Sequence, residues 1–330
     1  MKTILLKANH QALQKAAILL KNGEVVAFPT ETVYGLGADA FNPAAVRKVF
    51  VAKNRPADDP LIVHVARMSD VARVVARVPA VAQKLMKAFW PGPLTLVMPK
   101  AKAVPGIVTA GLQTVAVRMP SHPVALKLCG AVGPIAAPSA NSFGRPSPTR
   151  AAHVYEDLKG RIPLILDGGS TDIGVESTIV SLAGDKPRLL RPGRITVEQL
   201  GKYLPSLEIV TLVKKGEKPS APGMQYQHYS PQTRVVLVAN PTATKVQALV
   251  ESEQKKGKRA GLLCSGRYHV TADKVIMIGK TPEAAAKRLF DALRWLDTQG
   301  LDVIVAEGFP EKGFGVAVMN RLRRAAERIV

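Results

Sequence analysis

The chain has 330 residues, of which 47% are hydrophobic, enough for a sizeable core and too apolar for a disordered polymer; by length, two domains are more natural than one. Its charge is the outlier, because 46 Lys and Arg stand against 25 Asp and Glu, a net +21 spread over both halves, which attracts nucleotides, phosphates or RNA. Two cysteines without partner spacing argue against a disulfide scaffold, and an apolar run of three residues before Lys7 is too short for a signal peptide, so a soluble cytoplasmic protein without a membrane span is expected.

In chain order, Asn9 caps a predicted helix running to about Asn22 and closed by Gly23, with Leu13, Ala16, Ala17 and Leu20 at helical spacing. The apolar run Val25–Ala27 reads as a buried strand. It opens onto Phe28–Asp39, read as a loop that gathers Thr30, Glu31, Thr32, Tyr34, Gly35 and Gly37, and loops at strand ends are where α/β proteins place ligand contacts. Asn42-Pro43 starts a helix that runs out at Lys53-Asn54-Arg55-Pro56, since the residue before proline resists helical backbone. Strands follow at Leu61–Val65, Leu94–Met98, Thr114–Met119, Ile135–Ala137, Leu164–Leu166 and Thr178–Leu182, with two helical stretches before Trp90. Several strands are joined without a helix. An α/β fold of α+β-like character is therefore expected, a mixed parallel and antiparallel sheet with helices on its faces.

Residues 212–231, rich in proline, glycine and lysine, read as a linker. From Thr233 the pattern restarts as strand 234–239, helix 242–256, strands 260–264 and 274–278, helix 282–298, strand 302–306 and helix 315–328. That is the alternation of a small Rossmann-like, doubly wound domain. The expected division is 1–211, the linker 212–231, and 232–330.

The chemistry is bounded by what the chain lacks. It contains neither GxGxxG nor GxxxxGK[ST], no GxSxG, and no HxxxH or HExxH pair among its six histidines, so a nucleophilic triad and a protein-built metal site are not expected. What remains is a set of hydroxyl, amide and basic groups at strand ends. Lys53 and Arg55, two apart and next to a proline that stiffens the loop, suit a phosphate or carboxylate, or else a solvated helix end. Arg118 and Arg191 each close an apolar strand and need an anion, either a structural acid or a ligand. Ser139-Ala140-Asn141 between prolines is a rigid polar platform or a plain Asn/Ser turn. His64 on an apolar strand reads more readily as a satisfied core histidine than as a functional one. Together they suit a nucleotide and a small carboxylate, with the nucleophile supplied by a substrate.

The order of the motifs PTETVYGLGADA, KNRP with DPLIVHV, TVAVRMP, APSANSFGRPSPT, GVESTIV and LRPG resembles the YrdC-like family of L-threonylcarbamoyladenylate synthases over residues 1 to about 211. The segment PGMQYQHYSP and the C-terminal α/β domain look like the longer, two-domain form of that family. The resemblance implies a YrdC-like twisted mixed sheet and a nucleotidyltransferase: L-threonine, bicarbonate or CO2, and ATP with Mg2+ give threonylcarbamoyl-AMP and pyrophosphate. The product would feed N6-threonylcarbamoyladenosine formation on tRNAs reading ANN codons, with tRNA and the downstream transfer machinery as partners. By the same resemblance, Thr32, His64, Arg118, Ser139 and Ser177 would contact threonine, with Arg118 on its carboxylate. Arg55, Asp59, Thr114, Asn141, Thr149, Arg191 and Tyr229 would contact ATP, with Tyr229 in a linker acting as a lid. Lys53 and Arg55 would act at the reacting carbamate and phosphates. Three departures stand out: Asp59 where the family commonly has Asn, Asn54 for a frequent glycine, and Gln225 and Gln227 where basic residues are common. The rival reading from charge alone is an RNA-binding module, which aromatic content of 5% disfavours for single strands. A related carbamoyl-adenylate-forming activity on another substrate is the second.

Overall fold

A computed structural model describes residues 1–210 and 228–330. The linker expectation for 212–227, with Gln225 and Gln227, lies outside the described residues. The chain divides into two compact units. The first holds Met1–Phe143, Pro148–Asp172 and 176–210; the second holds Gly144–Ser147, Ile173–Val175 and 228–330.

In the first unit, β1 (Ile4–Lys7) is followed by α1 (His10–Lys21), β2 (Val26–Phe28), β3 (Gly35–Asp39), α2 (Pro43–Lys53), β4 (Ile62–His64), α3 (Met68–Val74), α4 (Ala80–Phe89), β5 (Leu94–Pro99) and β6 (Thr114–Arg118). Then come α5 (Pro123–Val132), β7 (Ile135–Ala137), α6 (Ala151–Leu158), β8 (Leu164–Asp167), β9 (Thr178–Ser181), β10 (Arg188–Arg191), α7 (Val197–Gly201) and β11 (Glu208–Ile209). The Asn9 and Asn42 capping signals act as read, whereas α2 is closed by a left-handed Asn54 and not by the restriction on the residue before Pro56. Asn9 accepts from the Ala12 amide at 2.9 Å, Asn42 from the Ala45 amide at 3.1 Å, and Asn54 has φ 54°.

The strands form one mixed sheet in the order β1-β8-β2-β3-β7-β4-β6-β5-β9-β10-β11. The stretch read as a loop after Phe28 differs from expectation, because Gly35–Asp39 pairs antiparallel with β2 and only the turn between them is irregular. Gly37 serves close packing, and neither Gly35 nor Gly37 has left-handed backbone. A Cβ on Gly37 would lie 2.5 Å from Ile135 Cγ2 and 2.7 Å from Phe28 Cε1.

Side chains alternate across a sheet with period two, and this alternation separates core from site. One face carries Leu96, Val115, Val117, Val63 and Val180 into the main core, which α2, α3, α4 and α6 cover with Val49, Val71, Leu85 and Val154. The opposite face has two parts. Over β8, β2 and β7 it is covered by α1 and α5 through Leu20, Leu128 and Cys129. Over β4, β6, β5, β9 and β10 it carries a separate small cluster of Ile62, Val97, Ala116, Ile179 and Leu190.

In the second unit, β12 (Arg234–Val238), α8 (Ala243–Gln254), β13 (Ala260–Cys264), β14 (Lys274–Met277), α9 (Pro282–Asp297), β15 (Val303–Glu307), α10 (Gly315–Ala325) and β16 (Arg328–Ile329) alternate. Their sheet has the order β14-β13-β15-β12-β16, and every pairing is parallel. The near-continuous apolar runs of β12, β13 and β15 follow from burial on both faces.

Candidate active site

The small apolar cluster of Ile62, Val97, Ala116, Ile179 and Leu190, each no more than 6% exposed, lies on one face of the large sheet, and period two places candidate residues beside it. His64 is in register with Arg118 as Ile62 is with Ala116, so His64, Arg118 and Ile62 share that face. Thr114 lies at the other end of the same edge of β6, half-buried and opposite Pro99. Ser177 precedes β9. A register shift between Leu189 and Arg191 sets Arg191 opposite Ile179, turning its side chain to the same face.

Arg118 is 3% exposed and is held at all three nitrogens. Its Nη2 makes an ion pair with Glu31 Oε1 at 2.7 Å, Nη1 donates to Thr32 Oγ1 at 2.9 Å, and Nε donates to the Gly92 carbonyl at 3.2 Å. Thr32 in turn is bonded to Thr30 Oγ1 at 2.8 Å, and the Thr30 hydroxyl donates to the Val33 carbonyl at 2.7 Å. The β2–β3 turn is thus a string of hydroxyls ending on a guanidinium. Burial alone would raise the Glu31 carboxyl, but the charge and hydrogen bond of Arg118 outweigh it and hold the group below its ordinary value. His64, 4% exposed, is pushed down to about 3, first by burial and then by the charge of Arg118, with Glu31 opposing. It is a neutral imidazole at physiological pH, its ring edge-on to Phe28 at 6.2 Å, and its Nδ1 has no hydrogen-bond partner among the described residues.

Ser177 and Arg191 form a second group. Arg191 Nε donates to the Ser177 carbonyl at 3.0 Å and its Nη2 to Ser177 Oγ at 3.1 Å. Ser177 Oγ also bonds Thr95 Oγ1 at 2.7 Å. Gly193 permits this turn, because a Cβ there would lie 2.4 Å from the Thr178 amide nitrogen.

Lys53 and Arg55 leave the end of α2 for different tasks. The Lys53 ammonium, 1% exposed, donates to the carbonyls of Ser139 and Asn141, so the lysine braces the Ser139-Ala140-Asn141 platform from beneath. The platform is also stitched to the β2–β3 turn, with Ala140 N donating to the Tyr34 carbonyl and Ser139 bridging Gly35. Arg55 curls back on its own loop, its Nη2 2.8 Å from Asp59 Oδ2 and 3.0 Å from the Pro60 carbonyl, with Nε on the Asp59 carbonyl. The carboxylate at position 59, where the family pattern has an amide, is therefore matched by a guanidinium. Thr149 is 3% exposed, and its amide donates to His153 Nδ1. Tyr229 belongs to the second unit, with φ 68° and its ring 5.2 Å from Phe290.

Two partners escaped the sequence reading. Glu31 was visible only as one polar residue among several in the turn. Thr95 carried a usable signal, a lone hydroxyl among the apolar residues of Leu94–Met98. Tyr34, gathered with the loop's polar groups, is fully buried and donates to the Gly169 carbonyl at 2.6 Å, so it ties the turn to the segment after β8. Among the described residues no group of three His, Cys, Asp or Glu stands close enough to hold a metal, and no helix is long and apolar enough to cross a membrane.

Comparison with known proteins identifies the family. A family model described as telomere recombination, covering Sua5, YciO and YrdC proteins, matches residues 18–193. A second, described as the C-terminal domain of threonylcarbamoyl-AMP synthase, matches residues 195–327. The chain is 50% identical to the threonylcarbamoyl-AMP synthase of Pyrococcus abyssi, covering 94% of this chain and 93% of that protein. It is 49% identical to that of Bacillus subtilis, over 97% and 94%. Among solved structures, P. abyssi Sua5 complexed with L-threonine superposes with a TM-score of 0.94 at 47% identity, over 100% of this chain and 98% of that one.

Proposed function

Because the chain belongs to the Sua5/YrdC family, in its form with the threonylcarbamoyl-AMP synthase C-terminal domain, we propose that the face of the large sheet bearing Arg118, His64, Ser177 and Arg191 is the site where L-threonine and ATP meet. The protein is a threonylcarbamoyl-AMP synthase, a transferase that makes an adenylate from threonine and ATP. The observation that carries the site is the sheet face itself, where buried guanidiniums and hydroxyls ring the apolar floor of Ile62, Val97, Ala116, Ile179 and Leu190.

Threonine sits on the Arg118 side. Three of the five N–H groups of that guanidinium have the partners described above, which leaves donors for a carboxylate. Glu31 fixes the plane of the guanidinium and offsets its charge while the site is empty. Thr32, Ser139, Ser177 and neutral His64 offer hydrogen bonds to the amino acid's polar groups. ATP lies toward Arg55, Asp59, Thr114, Asn141, Thr149 and Arg191, and would arrive as its Mg2+ complex.

In the reaction, the threonine amine attacks CO2 derived from bicarbonate, giving a carbamate and releasing a proton. A carbamate oxygen then attacks the α-phosphorus, and the bond to the bridging oxygen breaks as pyrophosphate leaves. No protein nucleophile is needed. The chain contributes alignment and positive charge near the phosphates, from Arg55 and Arg191, while Lys53 keeps the platform in place. The product supplies N6-threonylcarbamoyladenosine formation on tRNAs that read ANN codons.

The test is pyrophosphate release by the full chain with ATP, Mg2+ and bicarbonate. Release that requires both L-threonine and bicarbonate supports the reading. Release with another amino acid in preference to threonine would overturn the substrate assignment.

A further inference from the structure

The second unit takes in two short segments from the middle of the chain, Gly144–Ser147 and Ile173–Val175, and one helix, α9, grips both. Arg294 Nε and Nη2 donate to the Pro146 carbonyl at 3.1 and 2.6 Å. Asp297 Oδ2 is 3.0 Å from Arg145 Nη2, while its Oδ1 accepts from the Thr233 amide at 2.8 Å and from the Thr233 hydroxyl at 3.0 Å. Gly174 is in left-handed backbone, φ 84°, where a Cβ would lie 2.3 Å from the Ala286 carbonyl oxygen. Phe290, on the same helix, carries the Tyr229 ring.

A helix whose task is only to cover a parallel sheet has no need of these groups. Burying a guanidinium to 4% exposure, as Arg294 is, costs several kcal/mol unless it is bonded, and a leucine would avoid the cost. What α9 holds is specific. Gly144 follows Asn141 by three residues, Ser147 precedes Thr149 by two, Val175 precedes Ser177 by two, and Tyr229 sits on Phe290. Each gripped segment adjoins a residue assigned to substrate.

We propose that α9 is a positioning element for the nucleotide, with Arg294 and Asp297 as positioning residues that act through the Gly144–Ser147 segment on Asn141 and Thr149. The inference rests on the reading that those two residues face ATP. It gives the C-terminal unit a role in the reaction without requiring a ligand of its own.

The experiment measures dissociation constants for MgATP and, separately, for L-threonine by calorimetry on the full chain, with thermal unfolding alongside. The variants are Arg294→Met, Asp297→Asn, Arg145→Ala, Arg145→Lys and the double variant Asp297→Asn/Arg145→Ala. Small misplacements of positioning groups cost large factors. MgATP binding is therefore expected to weaken about tenfold in Arg294→Met and about threefold in Asp297→Asn and Arg145→Ala, with threonine binding within about twofold of wild type. The double variant should be no worse than either single one, since both break the same ion pair, and Arg145→Lys should recover most of the loss. Unchanged MgATP binding with lowered unfolding temperature would overturn the proposal, as would equal weakening for both ligands. Should Arg294→Met not fold, the half-exposed Arg145 carries the same test. Wild-type protein that bound no MgATP would overturn the underlying reading instead, a result seen before any substitution is made.

Discussion

Glu31 and Arg118, far apart in the chain, form an ion pair of 2.7 Å in which neither side chain is more than 7% exposed. The turn after β2 and the end of β6 are locked together by it, and the guanidinium proposed for the threonine carboxylate is held in one orientation.

Arg118→Ala should separate the two substrates. Its loss leaves Glu31 buried without its charge partner, which costs about 3 kcal/mol of stability. The KM for L-threonine should rise at least about tenfold, with the KM for ATP within about threefold. Steady-state pyrophosphate release with each substrate varied checks it, and equal losses for both would remove the carboxylate assignment.

Acid should weaken the fold through the same cluster. His64 has a folded value of about 3 against an ordinary 6.5, so between those limits the unfolded chain binds the extra proton and stability falls as pH drops. Glu31, held below its ordinary 4.5, contributes stability that is present above that value and is lost as pH falls through the lower, folded one. Between pH 7 and 5 the His64 contribution amounts to about 2 kcal/mol. Urea unfolding across this range should show a slope in the wild type that flattens in His64→Gln. A slope unchanged by the substitution would mean that some other group sets it.

Asp59→Asn restores the amide common in the family pattern. The amide still accepts from Arg55 but no longer neutralises it, so more positive charge faces the phosphates. The KM for ATP should fall about threefold, whereas Asp59→Ala, which frees Arg55 from its orienting partner, should raise it. A rise in both variants would show that orientation outweighs charge.

Lys53→Met keeps the volume and apolar stem of the side chain but leaves the Ser139 and Asn141 carbonyls without their ammonium donor. Each unsatisfied buried carbonyl costs about 1–3 kcal/mol, so chemical denaturation should find a loss of several kcal/mol. kcat should fall, and both KM values should rise together, because Ser139 and Asn141 are proposed to contact one substrate each. A pure kcat effect at full stability would instead place the amine at the reacting atoms.

The local devices were legible because they are short-range. Asn9 and Asn42 cap their helices, and α2 runs out inside the stretch Lys53-Asn54-Arg55-Pro56 where the sequence ends it. What stayed hidden depends on sheet order. Nothing near Arg118 in sequence names Glu31 as its partner, because that pairing follows from β3, β7 and β4 lying between β2 and β6. Residues 35–39 read as a loop because two glycines mask a strand, and the reason for Gly37 is the crowding of Phe28 and Ile135 against it. Lys53 and Arg55 were visible as a pair. Only three dimensions show one bracing a backbone platform and the other paired with Asp59.

The position of β8 also governs the history of each molecule. It lies between β1 and β2, so the first strand of the chain has its neighbour only once residues 164–167 have been made. On a ribosome adding about 5–20 residues per second, that leaves β1 and one edge of β2 unmatched for roughly ten seconds or more. Throughout that interval they are open strand edges, the feature that recruits foreign chains. The lysine that ends β1 and the two-residue span from it to the cap of α1 keep the early segment short and charged while it waits.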